Sequence, residues 1–217
     1  MKKIITADEA IQKVHSGSTI MVGGFGLVGC PISLVDSLCK SKANNLTIVS
    51  NNLGEQGKGL GKLVLNKQVS KGIGSYFTSN IDVVEANKRG ELEIELLPQG
   101  TMSEAIRAGG AGIGGFYTPV GVGTALAENK ETKVMNDKEY LLQKALQADF
   151  AFIKAKKADK LGNLIYSKSA RNFNPAMATA AKTVFVEVDE IVEVGELNPD
   201  EIVTPHLYVD YLIKDEY

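Results

Sequence analysis

The feature that most constrains this chain is the run Gly23-Gly24-Phe25-Gly26-Leu27-Val28-Gly29-Cys30-Pro31, placed directly after the apolar Ile20-Met21-Val22. A β-like run that stops in glycines and then meets a proline reads as strand, glycine loop and helix start. Glycine lets the backbone approach a ligand with no Cβ in between. Proline suits the first turn of a helix, where its missing N–H costs nothing. Such a turn aims free N–H groups and the positive end of a helix dipole at an anion. The same residues also suit a tight strand–helix turn that holds no ligand.

Gly24 to Gly29 matches the G-x-G-x-x-G spacing of dinucleotide sites. That reading requires an acidic residue at the end of the second strand, about 20 residues on. The second strand, Leu46 to Ser50, ends instead in Asn51-Asn52, which weighs against a nicotinamide cofactor.

The rest of the chain alternates. Thr6-Ala7-Asp8-Glu9 is a capping box, so a helix is predicted over 7–16. Strand 18–22, a helix from Pro31 to Lys42, strand 46–50, a short helix over 58–67, a strand over 69–76 and helix 81–89 follow. Strand 92–97 stops at Pro98. Thr101-Met102-Ser103-Glu104 reads as a second capping box, opening a helix to Ala108. After Gly115 the pattern changes. Lys133–Leu142 reads as a hairpin around Asn136-Asp137. Ala148–Lys154 reads as a buried strand. Gly162-Asn163 marks a turn, and a helix opens at Asn174-Pro175. Thr183–Glu187 and Ile191–Val194 read as two further strands. The expected fold class is α/β: an open, mostly parallel sheet with helices on both faces and a more β-rich C-terminal third. No linker interrupts the chain, and a single domain over 1–217 is expected.

Composition excludes several partners. The formal net charge is −2 with 44% hydrophobic residues, which argues against nucleic acid and anionic membranes, since both call for basic clusters. Lys154, Lys156 and Lys157 are read as a solvated strand end. Met1-Lys2-Lys3 leads into Thr6-Ala7-Asp8-Glu9 with no apolar stretch of a signal peptide, and no window is long enough for a membrane span. Cys30 and Cys39 are too few for a disulfide framework and fit reduced thiols, so a cytoplasmic location is expected.

Candidate chemistry sits at strand ends. Asn51 and Gln99 each follow a predicted strand, where ligands of open α/β sheets bind. Their amides can donate to an oxyanion or carboxylate without carrying charge, although Asn51 equally suits a plain turn. Cys30 at a helix N-terminus would favour a thiolate, or be a small buried loop residue. Glu55, in Glu55-Gln56-Gly57-Lys58-Gly59, is the one carboxylate placed as a nucleophile candidate, against the reading of a flexible surface turn. The glycine cluster of 109–115 exceeds the needs of a helix cap and suggests a site wall or a subunit interface. His15 and His206 read as surface residues. No cluster has metal-ligand spacing, and no metal is expected. The chain thus has loops suited to binding and lacks an evident catalytic engine.

Three segments in order carry a family resemblance. Gly23 to Pro31 resembles the signature of the alpha subunit of class I (3-oxoacid) CoA-transferases, of the acetate/butyrate–acetoacetate type. Pro98-Gln99-Gly100-Thr101 with Ile106-Arg107-Ala108-Gly109-Gly110-Ala111-Gly112 resembles a second family segment. Ser169-Ala170-Arg171-Asn172-Phe173-Asn174-Pro175 resembles a third. The similarity runs from about Thr6 to Val209. One departure is Ser16, where the family usually has Asp or Asn; Ser can shape the same turn.

The resemblance implies transfer of CoA from an acyl-CoA to a carboxylic acid by a ping-pong route, through a mixed anhydride and a glutamyl-CoA thioester. The glutamate belongs to the beta subunit, within a Glu-x-Gly-x-x-Gly pattern that Glu55 does not begin, because Leu60 stands at the last position. It also implies a homologous beta partner, two copies of each chain, and activity only in that assembly. Acetate, butyrate, acetoacetate or succinate and their CoA esters are the implied substrates. Coenzyme A is then a substrate moiety rather than a permanent cofactor. Its contacting segment is Gly24, Phe25, Gly26, Leu27, Val28, Gly29 and Cys30, with Gln99 and Asn51 toward the reacting carboxylates. The competing readings are a stand-alone α/β sugar-phosphate isomerase and a nucleotide-binding module.

Overall fold

Period-two apolar patterning sets the centre of the fold. Ile20 and Val22 face one side of a sheet and Met21 the other; Phe150 and Phe152 oppose Ala151 and Ile153; Phe185 opposes Val184 and Val186. Strands buried on both faces need helices on both faces. The computed structural model describes residues 1–214. Its elements run β1 (Lys3–Ile5), α1 (Ala7–Ile11), β2 (Thr19–Val22), α2 (Ile32–Lys40), β3 (Leu46–Val49), α3 (Gly61–Leu65), β4 (Val69–Gly74), α4 (Ile81–Lys88) and β5 (Glu93–Leu96). They continue with α5 (Gln99–Gly110), β6 (Gly115–Thr118), β7 (Thr132–Met135), β8 (Lys138–Lys144), β9 (Ala148–Asp159), β10 (Leu164–Ile165), α6 (Asn174–Thr179), β11 (Ala181–Val192) and β12 (Tyr211–Lys214).

The large sheet has the order β1-β12-β11-β9-β2-β3-β4-β5, with β10 added to β9. Every pairing along that path is parallel; only β10 is antiparallel. One core packs α1 to α4 against one face, with Leu34, Leu38, Leu63 and Val83 fully or nearly fully buried. The other packs α5 and α6, through Met102, Ile106 and Met177, against the opposite face. A small antiparallel sheet, β6-β8-β7, is not bonded to the large one and packs against α5.

Boundaries differ from the expectations for local reasons. The Thr6–Glu9 capping box forms, but α1 stops at Ile11. Tighter bonds from Lys13 and Val14 to Ala10 and Ile11 end it, and Gly17, at φ +82°, turns into β2. Ser16 shapes that turn as expected: its Oγ accepts from the Asn44 N–H at 3.1 Å. Pro31 is the cap of α2 rather than its first helical residue. The second capping box does not form. Helix α5 opens at Gln99 behind Pro98, so Thr101 lies inside it and Glu104 pairs with Arg107. The hairpin turns on Asn136 and Asp137, both at positive φ, as a tight two-residue loop requires. The two strands expected over 183–194 are one strand, β11, because its ladder with β9 continues to Val192 opposite Asp159.

Candidate active site

Strand β2 is where the sheet changes direction. From it, β3, β4 and β5 run to one side, while β9, β11 and β12 run to the other. Such a switch point opens a crevice beyond the carboxyl ends of the strands, where open α/β sheets bind ligands. The glycine loop leaves β2 there. Its first residue still belongs to the ladder, Gly23 N–H donating to Phe152 O at 2.9 Å.

The loop tip closes on itself. Phe25 and Val28 exchange backbone bonds at 3.0 and 3.3 Å around Gly26, whose φ is +61°. Cys30 N–H donates to Leu27 O. The N–H groups of Gly26, Leu27 and Gly29 have no acceptor among the described residues. These donors are left for an outside acceptor, and Phe25 and Val28 are half exposed beside them.

The loop is held from the other half of the sheet. Asn172 Oδ1 accepts the Gly24 N–H at 3.0 Å and its Nδ2 donates to Val28 O at 3.0 Å. Asn174, fully buried, donates to Gly29 O at 3.0 Å and accepts from the Lys154 N–H. Both lie in Ser169–Pro175. That segment was legible as a family motif, but it carried no role, because the contacts cross from the end of one half of the chain to the start of the other.

Cys30 is buried, and its thiol is pushed up to about 12 by burial first and then by the carboxylates of Glu187 and Asp36. It holds its proton at neutral pH, so the thiolate option at this helix end is corrected. The N-terminus of α2 already has its anion: Glu187, buried on β11, accepts the Leu34 N–H at 3.1 Å. Lys154 bridges Glu187 at 3.2 Å and Asp189 at 2.7 Å, with 17% of its side chain exposed. The reading of Lys154 as part of a solvated strand end is therefore overturned; the parallel register of β9 and β11 sets Lys154 beside Glu187 and Lys157 beside Glu190. Next to this network, Leu27, Gly29, Cys30, Lys156 and Ala170 line a cavity of about 380 Å³.

Asn51 follows β3 and is 1% exposed; its Nδ2 donates to Ser75 Oγ at 2.8 Å, and its carbonyl accepts from Ser75 and Tyr76. Gln99 is the exposed first residue of α5, directly after β5, with no side-chain cap on that helix. A cleft of about 320 Å³ beside it is lined by Pro98, Thr101, Phe116, Tyr117 and Val120. Gln99, Asn51 and the glycine loop thus share one sheet edge. Three strand spacings, roughly 14 Å, separate the ends of β2 and β5.

The remaining candidates carry no evident catalytic role, although the Glu55 turn abuts the glycine loop: a Cβ on Gly59 would lie 2.8 Å from Leu27 Cδ2. Glu55 sits in an exposed turn opposite Lys58, with a 3.9 Å charge pair. Gly109 and Gly110 belong to α5: a Cβ would meet Leu146 O at 1.9 Å and Thr179 Oγ1 at 2.0 Å respectively. Their smallness serves the packing of α5 within this chain, while 111–114 is exposed. His15 and His206 are exposed. Among the described residues no group of three or more His, Cys, Asp or Glu is placed to hold a metal ion. No described helix is long and apolar enough to cross a membrane. A further cavity, about 560 Å³, lies elsewhere, between β1, α1, α2 and β12.

The family model described as coenzyme A transferase matches residues 4–215. The chain is 49% identical over 212 residues to the A subunit of the probable succinyl-CoA:3-ketoacid coenzyme A transferase of Bacillus subtilis, covering 98% of this chain and 89% of that one. It is 46% identical over 214 residues to the alpha subunit of the acetate CoA-transferase of Escherichia coli, covering 99% and 97%. In fold it is similar to an acyl-CoA transferase of Escherichia coli, solved as a thioester complex with CoA. The TM-score is 0.92 at 21% identity, over 99% of this chain and 50% of that one. The chain therefore spans half the length of that solved protein.

Proposed function

This chain belongs to the coenzyme A transferase family, and on that premise we propose that it works as the alpha subunit of a short-chain acyl-CoA:carboxylate CoA-transferase. The observation that carries the reading is the set of unpaired N–H donors in the Gly24–Cys30 loop, placed at the switch point of the sheet, in a chain whose sequence matches the family over residues 4–215. The names of its relatives, each an A or alpha subunit, support a separate partner chain. The names of its relatives argue against an isomerase or a nucleotide-binding module, and Asn51 stands at the end of β3, where a dinucleotide site calls for an acidic residue.

The chemistry divides as follows. A glutamate of the partner attacks the acyl-CoA thioester, giving an acyl-glutamyl anhydride and the CoA thiolate. The thiolate then attacks the glutamyl carbonyl, giving enzyme-bound glutamyl-CoA thioester and releasing the first acid. The second acid reverses both steps. Each attack builds negative charge on a carbonyl oxygen. This chain contributes preset neutral donors there: the loop N–H groups of Gly26, Leu27 and Gly29 toward the CoA side, and the Gln99 amide toward the acid side, with Asn51 supporting the adjacent strand end. One such donor is worth about 2.7–4 kcal/mol at the transition state. No permanently bound cofactor is needed; coenzyme A enters and leaves as substrate. Acetate, butyrate, acetoacetate and succinate are the proposed acids, two copies of each chain the proposed assembly, a single domain the proposed unit, and the cytoplasm the proposed location.

The experiment is co-expression with a homologous chain that bears Glu-x-Gly-x-x-Gly, followed by acyl exchange assayed against a panel of short acids. Activity is expected from the complex and none from this chain alone. Turnover by the purified chain, with mass spectrometry excluding a copurified partner, would overturn the division of labour.

A further inference from the structure

We propose that Asn172 is a positioning residue for acyl-CoA: one side-chain amide ties both ends of the glycine loop and so fixes its free N–H donors. The proposal rests on the reading of that loop as the acyl-CoA contact.

The loop's own bonds are local. Between backbone groups of the loop, Phe25 pairs with Val28 and Cys30 with Leu27. These bonds shape the tip but do not orient it on the sheet. Asn172 supplies the missing tie. Its Oδ1 accepts from Gly24 at the loop's entry, and its Nδ2 donates to Val28 at the exit. The same Nδ2 lies 3.2 Å from Ser169 O and 3.1 Å from Ala170 O, so the amide cannot turn over without losing its acceptors. Asn174 adds the next rung, holding Gly29 O and anchoring itself on the Lys154 N–H of β9. Packing leaves no slack: a Cβ on Gly29 would lie 2.4 Å from Ala170 O.

Asn172 itself is held at φ +22° and ψ −121°. A backbone of this kind costs on the order of 1–3 kcal/mol and persists only where surrounding contacts over-determine it. Here the contacts are the two to the loop, from Gly24 N–H and to Val28 O, together with local ones to Ser169 O, Ala170 O, the Phe173 N–H and the Asn174 amide. With Gly24 and Val28 both committed to Asn172, the groups left over are the unpaired N–H of Gly26, Leu27 and Gly29, the ones an acyl thioester or pantetheine carbonyl would meet. A loop free to rock would lose donors that are useful only when their position is preset.

The test uses the complex with the partner chain. Asn172→Gly suits the unusual backbone and removes both bonds. Asn172→Asp keeps the acceptor for Gly24 and loses the donor to Val28. Two readouts are taken: hydrogen exchange of peptides covering 23–31, and KM for acyl-CoA against KM for the acid. In Asn172→Gly, exchange of the loop peptide is expected to rise at least roughly tenfold with β9 and β11 peptides unchanged, and KM for acyl-CoA roughly ten- to a hundredfold. The acid KM should stay put, and Asn172→Asp should fall between. Unchanged loop exchange in Asn172→Gly overturns the proposal. So does faster exchange with an unchanged KM for acyl-CoA. A wild-type complex that moves no CoA at all overturns it through its premise, and is told apart because the loop still loosens in Asn172→Gly.

Discussion

The carboxylate of Glu187 caps helix α2 from the far side of the chain: its Oε2 accepts the Leu34 N–H at 3.1 Å across a separation of 153 residues. Pro31 at the cap position has no side chain able to do this. An acid on β11 therefore takes the place of a local Ser or Asp, and Lys154 balances its charge. The base of the glycine loop, the start of α2 and two strands are joined in one buried polar network.

That network makes Glu187 a stability residue. Glu187→Ala leaves Lys154 half paired and the α2 N-terminus uncapped, and should destabilise the protein by about 3–5 kcal/mol, the cost of breaking a buried pair from one side. Glu187→Gln keeps an acceptor for Leu34 and should cost about 1–3 kcal/mol. Urea denaturation followed by circular dichroism orders the two variants. Equal midpoints for both would show that the charge, rather than the cap, is what matters.

Gln99→Ala is expected to lower kcat in the complex by roughly ten- to a thousandfold, the upper end corresponding to one oxyanion donor. Gln99 is exposed, so folding and assembly should be retained. Steady-state kinetics with a sedimentation profile checks both. Full kcat/KM in a normally assembled complex would make Gln99 a mere helix-start residue.

Two loop glycines should fail differently. Gly26 has open space where a Cβ would point but lies at φ +61°, so Gly26→Val, β-branched and at positive φ, strains the tip and crowds its outer side. It should raise KM for acyl-CoA or abolish binding while the melting temperature falls only slightly. Gly29→Ala drives a methyl to 2.4 Å from Ala170 O and should loosen the whole clamp, with a loss of stability as well as binding. Thermal melts beside acyl-CoA titrations separate the two; the same profile for both variants would remove the distinction.

Cys30 gives a pH prediction. Its folded pKa, about 12, lies above the ordinary 9.0, so burial favours the protonated thiol. The stabilising contribution is complete below pH 9.0 and is lost as pH rises from there toward about 12. At pH 8 the native protein should react with a thiol reagent at neither Cys30 nor, at any appreciable rate, Cys39, whose thiol is raised to about 11 by burial and by Asp36. Labelling should appear on unfolding. Rapid modification of Cys30 in the folded complex would mean that the loop opens far more readily than its contacts imply.

The sequence by itself determined what local chemistry determines. Alternating apolar strands, a capping box at Thr6–Glu9, the Asn136-Asp137 turn and the glycines after Val22 specify their own conformations through neighbours a few residues away. They were legible as an α/β chain with a ligand-suited loop, and the linear order of three segments was enough for the family resemblance. Element ends were less legible, because a strand such as β11 runs as far as its neighbour β9 allows. Only the tertiary structure decided that β2 and β9 lie side by side at the switch point, that Asn172 and Asn174 grip the loop, and that Lys154 and Glu187 are buried together. Each of these contacts joins the first third of the chain, or β9, to a segment with its own unremarkable local pattern. Parallel strand order is fixed by burial on both faces and by crossover connections, and no periodicity within a single element encodes which distant strand will become its neighbour.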